Sequence, residues 1–136
     1  MSSNHLDPEQ IAYQYIEGYN EQAESEIIEL FSPTVNWEGQ PIGREEIDVA
    51  VWWEAFPDLQ LELHQVISNG SEAAFRFTVR GTHEGVFFDI EPTGKTIEST
   101  EMIMISVDEA GIDSLWFEWD ELGFFTALGE LDHPLT

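Results

Sequence analysis

No cysteine occurs in this chain, which excludes a disulfide framework, a thiolate nucleophile and any metal site built on sulfur. Cations are nearly as scarce: Lys95 is the one lysine, and with Arg44, Arg76 and Arg80 it stands against 28 acidic residues, for a formal net charge of -24. Nucleic acid and anionic membrane surfaces are therefore excluded as partners by simple repulsion. No run of about 18 apolar residues is present, and the first residues, M-S-S-N-H-L-D-P-E-Q, carry neither a basic start nor an apolar signal core. A cytoplasmic protein is expected. Metal-ligand spacing is missing from the four histidines, and G-x-S-x-G, a Walker loop and a dinucleotide fingerprint are all absent, so neither metal nor cofactor is expected.

What is present is a foldable core inside an acidic shell. Hydrophobic residues make up 42% of the 136, too many for a disordered acidic segment, and the length suits a single domain over 1–136 that buries roughly 70% of its unfolded surface. The acids run from Asp7 to Asp132 without forming a tail. Such a shell repels itself at low salt, whereas at about 1 M salt the screening length falls to about 3 Å. A host with a salty cytoplasm is the expectation.

Hydrophobic period then divides the chain. Asp7-Pro8-Glu9 has the form of an N-cap, an N1 proline and a first-turn acid, and Ile11, Ala12, Tyr15, Ile16 and Tyr19 fall on one helical stripe. A second short helix is predicted from Glu24 to Phe31, stopped by Ser32-Pro33, followed by a short strand at Val35-Asn36-Trp37. A third is predicted from Arg44 to Phe56, closed by Pro57. From Leu59 the period changes to alternation, with turns at Asn69-Gly70, Pro92 to Lys95 and Asp108 to Gly111 separating four strands, the last from Ile112 to Asp120. Helices first and a meander afterwards give an α+β domain with helices packed on one face of a curved antiparallel sheet.

Four words in order, A-F-P-D-L (Ala55 to Leu59), R-G-T-H-E-G (Arg80 to Gly85), P-T-G-K (Pro92 to Lys95) and W-F-E-W-D-E-L-G (Trp116 to Gly123) ending in A-L-G (Ala127 to Gly129), make the chain resemble the SnoaL-like polyketide cyclase family within the NTF2-like superfamily. The resemblance implies an α+β cone with N-terminal helices on a curved sheet, a deep pocket between them, and a catalytic acid/base on the last strand. That residue is Asp120. It also implies a homodimer, a small hydrophobic ligand, and cofactor-independent proton transfer leading to aldol-type cyclisation or isomerisation of a carbonyl compound. A non-enzymatic ligand-binding or dimerisation module is the alternative, because folds of this kind host both. The chain departs from the family at Ser114, Leu115 and Ala127, where polar residues are common.

Alternation puts Trp116, Glu118 and Asp120 on one face of the last strand and Leu115, Phe117 and Trp119 on the other. Which face lines a pocket stays open, and Asp120 also suits an N-cap for a helix beginning near Glu121. His83 is either a group facing substrate or a buried histidine satisfied by backbone. Arg76 and Arg80, kept in a chain that has shed cations, are either buried partners for acids such as Glu98 or Glu101 or a grip on an anionic substrate group. Tyr15, Trp37, Trp53, Phe88 and Trp116 complete the expected substrate-binding set, although aromatic stripes are ordinarily core.

Overall fold

A computed structural model describes residues 6–129. Helix α1 (Pro8–Asn20) starts as its sequence requires: the Asp7 side chain accepts a hydrogen bond from the Glu9 N–H at 3.0 Å, and Ile11, Ala12, Tyr15, Ile16 and Tyr19 form its buried stripe. Helix α2 (Glu24–Ile28) is shorter than expected. Phe31 belongs instead to strand β1 (Phe31–Trp37), where it is buried and registers against Ile112. Tertiary pairing here overrides a local helical pattern.

The expected third helix divides for a similar reason. A hairpin through Glu38 and Gly39, both at positive φ, leads into β2 (Gln40–Gly43), then a single 3-10 turn over Arg44–Glu46, and only Ala50–Ala55 forms α3. Arg44 anchors that turn by donating to the Phe31 carbonyl at 2.8 Å. Ile47 is consequently extended, with φ -78° and ψ 119°, and leaves the helix it would have joined.

The meander forms as predicted, through β3 (Gln60–Asn69), β4 (Glu72–Thr82), β5 (Thr96–Val107) and β6 (Ile112–Trp119). Among the described residues the strands make one sheet in the order β2-β1-β6-β5-β4-β3, antiparallel except for the β1–β6 pair. The sheet is curved and unclosed. Register breaks at Leu63/Gln65 and Ser106/Val107 assist the bending, since bulges raise local twist. Helix α4 (Glu121–Ala127) follows β6 and packs near β5.

One sheet face is apolar and covered by helices. On β4 it presents Ala73, Phe75, Phe77 and Val79; on β5 it presents Ile97, Ile103, Ile105 and Val107, all buried. Two ties set the helices over this face. Asn20 closes a bidentate pair with the Leu61 backbone, donating to its carbonyl at 2.9 Å and accepting from its N–H at 2.7 Å. The Trp53 indole donates to the Tyr19 carbonyl at 3.1 Å, which links α3 to α1.

Candidate active site

Between α1, the segment 46–52 and the covered sheet face lies a cavity of about 260 Å³. Its wall is almost wholly apolar or aromatic: Leu59, Leu61, Phe77, Val79, Ile103 and Leu115 line the sheet side. Trp37, Phe117 and Trp52 add aromatic surface, with Trp37 and Phe117 rings 6.1 Å apart. Against this background the polar groups are few. Tyr15 and Tyr19 come from α1, Glu101 from the middle of β5, and Glu46 and Asp48, both exposed, from the segment after β2.

Glu101 is the group whose chemistry this wall changes. In β5 it occupies the same register as Ile97, Ile103 and Ile105, so the pleat turns its side chain toward the cavity. Burial disfavours its ionised form and raises its carboxyl from the usual 4.5 to about 7. Tyr15 and Tyr19 are one helical turn apart, with ring centroids at 5.0 Å. Burial above all pushes both phenols upward; Tyr19 and then Glu101 add to this at Tyr15, and at Tyr19 the charge of Glu101 adds to it against the lowering effect of the Tyr15 hydrogen bond, so both keep their protons at neutral pH. An acid that titrates near neutrality thus shares an apolar cavity with two neutral hydroxyl donors.

The face of β6 that reaches this cavity is the one carrying Leu115 and Phe117. Asp120 is therefore on the outer side of the strand. It is exposed, serves as N-cap of α4 and accepts from the Gly123 N–H at 3.0 Å. Trp116 is also on the outer face and 46% exposed, where it meets the turn at Gly39.

His83 is buried, but in the core beside the cavity. Its ring lies 5.5 Å from that of Phe56, and its Nδ1 accepts from the Thr93 backbone N–H at 3.2 Å while contacting the Thr93 hydroxyl at 3.0 Å. An Nδ1 that accepts assigns the proton of the neutral ring to Nε2, which has no partner among the described residues. The two family words around it interlock: the His83 N–H donates to the Lys95 carbonyl, and the Gly94 N–H donates to the His83 carbonyl. Gly85 lies against the end of α3, where the Glu84 and Gly85 N–H groups both donate to the Ala55 carbonyl. R-G-T-H-E-G and P-T-G-K thus hold the β4–β5 connection against α3.

Neither arginine reaches the cavity. Arg80 bridges Glu62 at 2.7 Å and Glu98 at 2.6 Å on the exposed outer face, so its partners include the expected Glu98 but the pair is not buried. Arg76 is exposed on the same face, opposite Met102. Phe88 is 68% exposed in the β4–β5 connection. Trp53 braces α1, and its neighbour Trp52 faces the cavity. Of the expected site residues the structure brings Tyr15 and Trp37 together. Sequence reasoning missed Glu101 as a site acid, although its place in an alternation with Ile97, Ile103, Ile105 and Val107, broken otherwise only by Ser99, carried the signal.

The family model for SnoaL-like polyketide cyclases matches residues 9–128. No curated protein matches the chain. Among solved structures, TsrD from Streptomyces laurentii superposes with a TM-score of 0.83 at 23% identity, over 93% of this chain and 99% of its own. A SnoaL-like polyketide cyclase from Agrobacterium tumefaciens gives a TM-score of 0.76 at 24% identity, over 91% and 99%. IdmH from Streptomyces antibioticus, provisionally described as a polyketide cyclase, gives 0.75 at 25% identity, over 91% and 99%.

Proposed function

Because this chain belongs to the SnoaL-like polyketide cyclase family, we propose that its cavity catalyses cofactor-independent proton transfer on a small carbonyl compound, with Glu101 as general acid/base. One observation carries this reading: the carboxyl that titrates at about 7 stands inside the cavity, among apolar walls. The family resemblance implied this role for Asp120; the proposal gives it to Glu101 because, of the two, Glu101 lines the cavity while Asp120 caps α4.

In this mechanism ionised Glu101 removes a proton from the carbon next to a carbonyl. The C–H electron pair becomes the enolate double bond, and the carbonyl π pair moves to oxygen, where a Tyr15 or Tyr19 hydroxyl donates a hydrogen bond. The enolate carbon then attacks a second carbonyl of the same molecule, and protonated Glu101 returns its proton to the new alkoxide. Isomerisation uses the same base, with the proton returned to a different carbon. A pKa near the working pH keeps both forms of the acid available, and the apolar wall holds a flexible substrate folded for ring closure. Tyr15 is thus the member of the expected binding set with a direct chemical part.

The test is exchange of the acidic C–H protons of 2-tetralone for deuterium, followed by NMR at neutral pH. Glu101→Gln is expected to slow the protein-dependent rate by about a hundred- to ten-thousand-fold. A rate unchanged in that variant would remove Glu101 from the mechanism.

A further inference from the structure

The cavity is defined as much by the charge it lacks as by the acid it holds. All four cations of the chain are engaged or positioned elsewhere. Arg44 donates to the Phe31 carbonyl, Arg80 is clamped by Glu62 and Glu98, Arg76 is on the outer face of the sheet, and Lys95 belongs to the β4–β5 connection. None of them lines the cavity, whose ionisable groups are Glu101 inside, Glu46 and Asp48 toward solvent, and two tyrosines. A carboxylate or phosphate entering this space would give up its hydration next to three acids and gain no cation in return.

Size adds a second restriction. At about 260 Å³ the cavity falls just under the roughly 300–1,000 Å³ usual for sites that enclose drug-sized ligands. We infer that the substrate is a compact carbonyl compound of one or two rings that carries no anionic group. The order of preference is cationic or neutral over anionic, because an ammonium group at the outer end meets Glu46 and Asp48, while an anion finds no counter-charge. This inference rests on the reading of the cavity as the substrate site.

Two parts of this selectivity respond differently to salt. Glu46 and Asp48 are exposed, and at about 1 M salt their reach is limited to about 3 Å. Glu101 is enclosed by apolar walls, so its discrimination persists.

Calorimetric titration of the whole protein in molar KCl at about pH 8, where Glu101 is ionised, tests the order with three ring-matched probes: benzamide, benzylamine and benzoate. Benzoate is expected to bind at least about tenfold more weakly than benzamide, a difference of about 1.4 kcal/mol, and benzylamine at least as tightly as benzamide. Glu101→Gln is expected to narrow the gap between benzoate and benzamide while benzamide still binds. Leu61→Trp, which fills the cavity, is expected to abolish benzamide binding. Benzoate binding as tightly as benzamide would overturn the charge inference and leave proton transfer by Glu101 standing. Failure of all three probes to bind, or benzamide binding that survives Leu61→Trp, would overturn the assignment of the cavity and the inference with it. Loss of deuterium exchange is a separate readout, so failure of the catalytic reading is distinguishable from failure of the selectivity.

Discussion

Phe77 and Glu101 stand directly opposite each other across β4 and β5, with Trp119 as the facing residue on β6. An acid buried in a row of aromatic partners ionises without the hydration it would have in water, so burial raises its carboxyl from 4.5 to about 7. A raised acid pKa means that the folded state holds the proton more tightly than the unfolded chain. Between about pH 4.5 and 7 the folded state binds more protons, so the stability contributed by this group is full below that window and falls as pH rises through it. The 4.5-to-7 difference corresponds to about 3 kcal/mol at most. Urea unfolding of wild type and Glu101→Gln across this range isolates the effect from the general charge: the glutamine variant is expected to lack this decline. Parallel stability curves would mean that Glu101 ionises freely in the fold.

Asp120 is predicted to matter for stability and not for proton transfer. Its carboxylate caps α4 by accepting from the Gly123 N–H, a role asparagine fills as well as aspartate does. Asp120→Asn should therefore leave deuterium exchange within about twofold of wild type, while Asp120→Ala should cost about 1 kcal/mol of stability. A large loss of exchange in the asparagine variant would return Asp120 to the chemistry.

Gly85 tests how the family words support the cavity. A Cβ at this position would overlap the Glu54 carbonyl, at the end of the helix that carries Trp52 into the cavity wall. Because the obstacle is backbone, the clash is relieved only by separating the β4–β5 connection from α3. Gly85→Ala is expected to destabilise the protein by about 1–3 kcal/mol in urea unfolding and to weaken benzamide binding. Wild-type stability in that variant would mean that the connection is not seated against α3.

Much of this architecture was legible in the chain because period and turn chemistry agreed. The α1 stripe at Ile11, Tyr15 and Tyr19, the alternation from Leu59 and the turn at Asn69-Gly70 each correspond to the element observed. The strand at Val35 to Trp37 was legible too, but residues 31–34 and 44–49 were not, since their conformations depend on pairing with Ile112 and on the Arg44 bond to Phe31, both remote in sequence. For the site, one point of geometry stayed open in the sequence. Leu115, Phe117 and Trp119 alternate with Trp116, Glu118 and Asp120, and a strand alone does not reveal which set faces inward. In the fold the first set faces the covered side, where Leu115 and Phe117 line the cavity. Glu101 was open to the same treatment, because Ile97, Ile103, Ile105 and Val107 share its register and mark their face as the buried one.

Salt dependence gives the last prediction. The 28 acids run from Asp7 to Asp132, while the one clamp across the strands among the described residues joins Arg80 to Glu62 and Glu98, all of them substantially exposed. Exposed ion pairs contribute little, so screening that clamp costs little, whereas screening a net charge of -24 removes repulsion acting over the whole surface. The melting temperature is therefore expected to rise by several degrees or more from low salt to molar KCl, since about 1 kcal/mol shifts the midpoint of a domain this size by roughly 3–5 °C. Sodium sulfate would also strengthen burial of apolar groups, so a comparison of KCl with an equimolar neutral osmolyte separates charge screening from exclusion. A midpoint that stays level or falls in KCl would count against the salty-cytoplasm reading and leave the acidic shell as ordinary surface.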